Sequence, residues 1–157
     1  LGFDREAREK ESASKLVTQI DPQIPQASAN LILHSVARYA AELTDESVSL
    51  APQINQAQLQ NAVKSYASEA RSVAMLIDST LRKNGKEGLV VSSEGLFFRE
   101  ALEMPRKVLV EDIDSIETEE SGNVIRLRVN GRKFGEIYIA EERSRKALID
   151  MLNSITH

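Results

Sequence analysis

Cysteine and tryptophan are absent from this 157-residue chain, and histidine occurs only twice, at His34 and His157. The lack of cysteine excludes disulfides, thiolate zinc sites and cysteine nucleophiles, and the two histidines do not have the spacing of a zinc-binding pair. No serine lies in a Gly-x-Ser-x-Gly turn, and glycine-rich loops that bind phosphates or dinucleotides are also missing. We therefore expect a protein that is not an enzyme and carries no cofactor.

An excess of positive charge is also lacking, since the formal net charge is −4. Residues 1–84 contain nine Lys or Arg against ten Asp or Glu, and residues 85–157 contain eleven against fourteen. Neither half suits a nucleic-acid backbone, so we expect no nucleic-acid partner. No apolar run approaches the roughly 20 residues of a membrane-spanning helix, which favours a cytoplasmic protein. Because the chain begins at Leu1 rather than Met, a fragment or processed product that has lost a targeting segment is an alternative.

Apolar residues recur at helical spacing through the first 84 residues. This pattern predicts helices over residues 4–20, about 26–43 and about 55–82. The third helix rests on a seam with alternating steps of four and three, formed by Leu59, Val63, Tyr66, Ala70, Val73 and Ile77. These helices would form an antiparallel hairpin or a three-helix segment that ends at Asn84-Gly85, a favourable helix C-terminal signal.

After Asn84-Gly85 the apolar pattern becomes typical of strands. Short strand-like runs occur at residues 89–92, 96–100, 107–110, 111–116, 124–129 and 132–139. Ser93-Glu94-Gly95 and Asn130-Gly131 predict tight turns, and Pro105 suits the start of a strand. Helical spacing returns over residues 141–155. The expected fold is α+β, with a helical region over 1–84 and a small bent antiparallel sheet, closed by a helix, over 85–157.

Three segments of the second half resemble bacterial pleckstrin-homology-like and GRAM-like domains. Residues 87–98 are similar to the family's apolar strand, polar turn and aromatic strand, and residues 110–116 to its acidic segment with two spaced isoleucines. The amphipathic helix ending at 148–152 is similar to the one that plugs the family's bent sheet. The resemblance covers about 87–155 and implies a binding or assembly module. Phosphoinositide-binding members have basic residues around the first hairpin turn, and the turn at 92–95 has none, which disfavours binding of lipid headgroups.

Two charged groups in the strand region are candidates for contacts or chemistry. Six carboxylates occur within ten residues that contain no cation: Glu111, Asp112, Asp114, Glu117, Glu119 and Glu120. Strand alternation would spread them along an edge, so a solvated edge strand is favoured over a metal-dependent hydrolase site. Arg126 and Arg128 share one face of the Asn-Gly hairpin with Arg132 and Lys133 nearby. They would either form a small patch for an anionic partner or pair across strands with the carboxylates.

The adjacent aromatics Phe97 and Phe98 should face opposite sides of the sheet. The outward one would either pack under the long helix, which is favoured, or form a contact surface. With Phe98 as the aromatic member, the candidate interaction surface is Leu59, Val63, Tyr66, Phe98, Arg126 and Arg128. We expect a non-catalytic protein-interaction or assembly module whose partner is another protein or a second copy of the chain. A peripheral membrane or lipid-binding domain is the alternative, which the net negative charge disfavours.

Overall fold

Eight β-strands in two antiparallel sheets and three α-helices make up residues 26–156, the part of the chain that the computed structural model describes. The helices are α1 (Gln26–Tyr39), α2 (Gln56–Ser65) and α3 (Glu142–Ser154). The first sheet contains, in spatial order, β1 (Val48–Leu50), β2 (Val73–Asp78), β3 (Gly88–Ser92), β4 (Gly95–Arg99) and β5 (Arg106–Leu109). The second contains β6 (Ile116–Ser121), β7 (Val124–Val129) and β8 (Arg132–Tyr138). The α+β class and the closing helix are confirmed, and the helix predicted over 4–20 lies outside the described residues.

The predicted helix over residues 55–82 is wrong beyond its first turns. α2 ends at Ser65, and residues 73–78 form β2, a strand inside the first sheet in which every residue is buried. A continuous apolar run of this kind has no alternation, so its pattern does not distinguish a buried strand from a buried helix. The helical hairpin is also absent from the described residues, because α1 and α2 pack on opposite faces of the first sheet.

Asn84-Gly85 lies in the loop between β2 and β3 instead of ending a helix. Ile77 pairs with Leu89 across this loop, so the boundary predicted between residues 84 and 85 falls inside a β-hairpin. Gly85 has a φ of 76°, and a side chain there would overlap the backbone of Gln58 in α2. The glycine is therefore required by a tight loop packed against α2.

Two apolar clusters occupy the two faces of the first sheet. The larger lies between the sheets, is closed by α1 and α3, and contains Phe98. The smaller lies under α2 and contains Phe97, so these neighbouring aromatics face opposite sides as predicted. The Phe98 ring passes so close to Gly135 of β8 that a Cβ there would lie 2.1 Å from it. The two sheets thus meet through Phe98.

The second sheet follows its predicted alternation more closely. Ile125, Leu127 and Val129 of β7 are buried while the intervening arginines are exposed. Asn130-Gly131 forms the predicted turn, with φ values of 54° and 78°.

The acidic segment is only partly a strand, contrary to expectation. Residues 110–112 form a 3-10 turn, and β6 begins at Ile116. The Asn130 side chain accepts hydrogen bonds from the amides of Asp114 (2.7 Å) and Ser115 (3.1 Å) and donates one to the Asp112 carbonyl (2.6 Å). These groups are therefore bound by a side chain instead of by a neighbouring strand.

Candidate interaction surface

Four large apolar side chains are strongly exposed among the described residues, and three of them lie at one end of the first sheet. Leu81 and Leu102 are fully exposed and Met104 is 82% exposed, whereas Tyr138 belongs to the second sheet. Since β2 to β5 are consecutive antiparallel strands, the β2–β3 loop (79–87) and the β4–β5 loop (100–105) leave the sheet at the same end. With strands about 5 Å apart, the points where the two loops leave the sheet are about 10 Å apart. We call this pair of loops the loop end.

Asp78, at the end of β2, organises the first of these loops. One of its carboxylate oxygens accepts hydrogen bonds from the amide and the hydroxyl of Thr80, at 2.9 and 2.6 Å, and the other accepts one from the Gly85 amide at 2.9 Å. The Thr80 hydroxyl oxygen in turn accepts a hydrogen bond from the Asn84 amide at 3.0 Å. A single buried carboxylate therefore closes the loop on itself.

Helix α2 supports the same loop from outside the sheet. The side-chain amide of Gln58 donates to the Lys83 carbonyl at 2.8 Å, and that of Asn61 donates to the Asn84 carbonyl at 2.7 Å. Leu81 has no part in this network and projects into solvent. Its position is consequently set by a loop held on two sides.

The loop at 79–87 is basic, which the sequence interpretation overlooked because it placed the first hairpin turn at 92–95. The loop contains Arg82, Lys83 and Lys86 against the single acidic residue Glu87. The Lys83 ammonium lies 3.5 Å from the Glu46 carboxylate in an exposed pair. Among the described residues, neither Arg82 nor Lys86 has an ion-pair partner for its side chain. The first hairpin of the sheet therefore presents two free cations beside an exposed leucine.

Each of the two loops also contains a non-glycine residue with positive φ, Lys83 at 56° and Leu102 at 62°. This left-handed conformation costs about 1–2 kcal/mol for a residue with a side chain. Leu102 additionally exposes its entire side chain to water. For Leu102, unlike Lys83, no hydrogen bond or side-chain packing among the described residues offsets this cost.

The β4–β5 loop is fastened at its base to the second sheet. The Arg106 guanidinium donates to the Phe134 carbonyl at 3.0 Å and lies 2.9 Å from the Glu103 carboxylate. The Glu100 carboxylate accepts a hydrogen bond from the Glu136 amide at 2.9 Å. Contact with Glu100 and the charge of Arg106 hold the pKa of Glu103 below its usual value. The loop carrying Leu102 is thus anchored while its tip is free.

Of the predicted contact residues, those on the helical seam are mostly internal. Leu59 and Tyr66 pack in the cluster under α2, and Phe98 is buried between the sheets. The Tyr66 hydroxyl has no hydrogen-bond partner among the described residues, and burial beside Asp78 raises the pKa of this phenol. Val63 is half-buried and lines a cleft next to β5.

The predicted arginines lie together on the open face of β7. Arg126 lies 3.3 Å from Glu136 and 4.0 Å from Glu119, and the Arg128 guanidinium donates to the Gly131 carbonyl at 2.8 Å. They line a shallow depression of about 310 Å³ with the surrounding acidic and basic side chains. Of the two arrangements considered from the sequence, Arg126 adopts the cross-strand pairing.

Leu81, Leu102 and Met104 were not among the residues singled out from the sequence. Leu81 fell inside the predicted long helix, where an apolar residue needs no explanation, and the segment around Leu102 had no recognised pattern. The only available signal was an isolated apolar residue among charged neighbours near turn residues.

Searches against models of protein families, curated proteins and solved structures find no match for this chain. Within residues 26–156 no three acidic or histidine side chains are grouped to hold a metal ion. None of the helices in the same range has the length and apolarity needed to cross a membrane. The loop end is thus identified from geometry alone.

Proposed function

We propose that this chain is a non-catalytic binding module that docks on an anionic membrane surface through the loop end. The observation that carries this proposal is the exposure of Leu81, Leu102 and Met104 at the same end as the free cations Arg82 and Lys86. Peripheral membrane binding uses this combination, because apolar side chains enter the boundary of the acyl chains while cations attract anionic headgroups.

The expected strength is that of reversible docking. Removing a leucine side chain from water contributes about 1.5–3 kcal/mol, and a cation near an anionic surface contributes about 1 kcal/mol. Part of this gain offsets the loss of translational and rotational freedom on binding. Because the β2–β3 loop is already held by Asp78 and α2, little further ordering is required there.

A non-catalytic role is supported by the way the buried ionisable groups are used. The Glu94 carboxylate, in the turn between β3 and β4, accepts hydrogen bonds from the amides of Arg71 and Ser72. The Arg145 guanidinium, on α3, donates to the carbonyls of Ile139 and Ala140 at 2.7 and 2.9 Å. Like Asp78, these groups hold connections between strands and helices, which is a structural use of charge.

Flotation with vesicles tests the proposal. At low salt, the chain should float with vesicles rich in phosphatidylserine and not with pure phosphatidylcholine. The double variant Leu81→Ser/Leu102→Ser should bind at least about tenfold more weakly, and Arg82→Gln/Lys86→Gln should weaken binding and reduce its dependence on salt. Tyr138→Ser and Arg132→Gln are the matched controls, since both change exposed residues of the second sheet.

Failure of the wild-type chain to float with anionic vesicles would eliminate the membrane proposal. Equal loss of binding in the Tyr138→Ser control would show that the membrane contact does not lie at the loop end. Retention of binding by both loop-end variants would show the same.

A protein-interaction or assembly role, the leading expectation from the sequence, is the second candidate. The observation in its favour is an open strand edge at β5, a feature that the membrane proposal does not use. Selection of binding peptides from a display library tests it.

A further inference from the structure

The first sheet has two edge strands, and β1 is partly closed by hydrogen bonds within its own segment. The Val48 amide donates to the Asp45 carbonyl at 3.0 Å, and the Leu50 carbonyl accepts from the Gln53 amide at 2.9 Å. Both groups face away from β2 and would otherwise be available to hydrogen-bond an added strand. Local bonding of this kind discourages edge-to-edge pairing at β1.

The other edge strand, β5, is open. The Val110 amide donates to the Glu94 carbonyl at 2.9 Å, so the even-numbered residues of this strand bond to β4. The odd-numbered Lys107 and Leu109 therefore turn their amides outward. Among the described residues no group accepts a hydrogen bond from either amide.

The cations of β5 do not block this edge. Lysine on an edge strand usually discourages pairing with another strand. Here the Lys107 ammonium forms an ion pair with the Glu69 carboxylate at 2.7 Å. The Arg106 guanidinium donates hydrogen bonds to the Phe134 carbonyl and the Glu103 carboxylate. The backbone between the two side chains is left accessible.

A cleft of about 260 Å³ runs beside β5, between this strand and the end of α2. Its lining is mixed: Val63, Tyr66 and Pro105 are apolar, whereas Lys64, Glu69, Arg106 and Lys107 are charged. Lys64 has no ion-pair partner among the described residues. The cleft therefore offers a small apolar contact and an excess of positive charge next to free backbone donors.

We propose that the β5 edge binds an extended peptide as a sixth strand of the first sheet, with an apolar side chain in the cleft and a carboxylate beside Lys64. The Lys107 and Leu109 amides would supply main-chain affinity, and the cleft would supply selectivity. This site adjoins the loop end at Pro105, but it uses the backbone of β5 and does not depend on membrane binding.

Amide hydrogen exchange on the full chain is the first test. Without peptide, the amides of Lys107 and Leu109 should exchange rapidly, while the Val108 amide, which faces β4, should be protected. Protection of the two outward amides in the free chain would mean that residues 1–25 or a second copy already covers this edge, and would overturn the proposal.

The second test is a selection of octapeptides from a random display library, followed by binding measurements on purified variants. Lys107→Pro removes the outward amide but leaves the bonds to β4, and proline is tolerated on an edge strand whose nitrogen faces solvent. It should weaken binding of the selected peptides at least about tenfold, whereas Lys107→Ala, which keeps the amide, should change it only slightly.

The selected peptides should also slow exchange of the Lys107 and Leu109 amides in the wild-type chain, a readout that does not require the proline variant to fold. Lack of any enriched peptide overturns the proposal. So does equal binding to Lys107→Pro and Lys107→Ala, or slowed exchange elsewhere without a change at these two amides.

Discussion

The two sheets of this protein differ in what covers their outer faces. The first sheet is buried on both sides, with the larger cluster against one face and α2 against the other. The second sheet packs only one face, and its outer face carries charged side chains such as Arg126, Glu119 and Glu136 in solvent.

This difference explains why the alternation of the second sheet was recognisable and why β2 was mistaken for a helix. The equally buried β3 and β4 were recognised as strands from the turn residues beside them. A strand with one wet face alternates between apolar and polar residues, as β7 does. A strand buried on both faces is apolar at nearly every position and does not alternate, as in β2. The absence of alternation in β2 therefore reflects its burial on both faces of the sheet.

The largest expected effect comes from opening the covered face of the first sheet. Phe97 is fully buried under α2, so Phe97→Ala should lower the free energy of unfolding by about 3–5 kcal/mol, through lost apolar burial and the cavity left behind. Urea denaturation followed by circular dichroism measures this. Tyr138→Ala removes an exposed aromatic of the second sheet and should change stability by less than about 0.5 kcal/mol. Similar losses in the two variants would mean that α2 does not cover the first sheet tightly.

A smaller effect is expected where α3 joins the loop before β1. The buried Asp45 carboxylate accepts hydrogen bonds from the Ser47 amide and hydroxyl and from the Glu141 amide, at 3.0, 2.8 and 2.8 Å. Burial alone would raise the pKa of Asp45, but these hydrogen bonds outweigh it and the pKa lies below its usual value. Asp45→Asn should therefore cost about 1–3 kcal/mol at neutral pH.

The pH dependence gives this prediction its control. Because the folded-state pKa is lowered, the stabilisation from Asp45 is fully present above the unfolded value of about 3.9 and is lost as pH falls through the folded value. Urea denaturation at neutral and acidic pH should show the gap between wild type and Asp45→Asn narrowing on acidification. A stability difference between wild type and Asp45→Asn that stays constant with pH would show that the variant loses stability through altered packing and not through loss of the charge.

The fold was predictable where local signals agree with the final packing. α1, the Asn130-Gly131 hairpin and α3 follow from spacing and turn residues alone. β1 has only three residues, too few for its Val-Ser-Leu alternation to identify a strand, and the burial of β2 depends on layers contributed by distant segments. The candidate surface was even less accessible, because the exposure of Leu81 and Leu102 follows from how the strands pair.

The smallest expected effect lies on the open face of the second sheet. Arg126 sits between Glu119 and Glu136, with side chains that are about half or more exposed, so water and salt screen the attraction. Arg126→Ala should reduce stability by no more than about 1 kcal/mol, and the reduction should shrink in high salt. A double-mutant cycle with Glu136→Ala, read by urea denaturation, isolates the pair. Coupling well above about 1 kcal/mol, unchanged by salt, would mean that this face is shielded from water, and the contrast between the two sheets would then disappear.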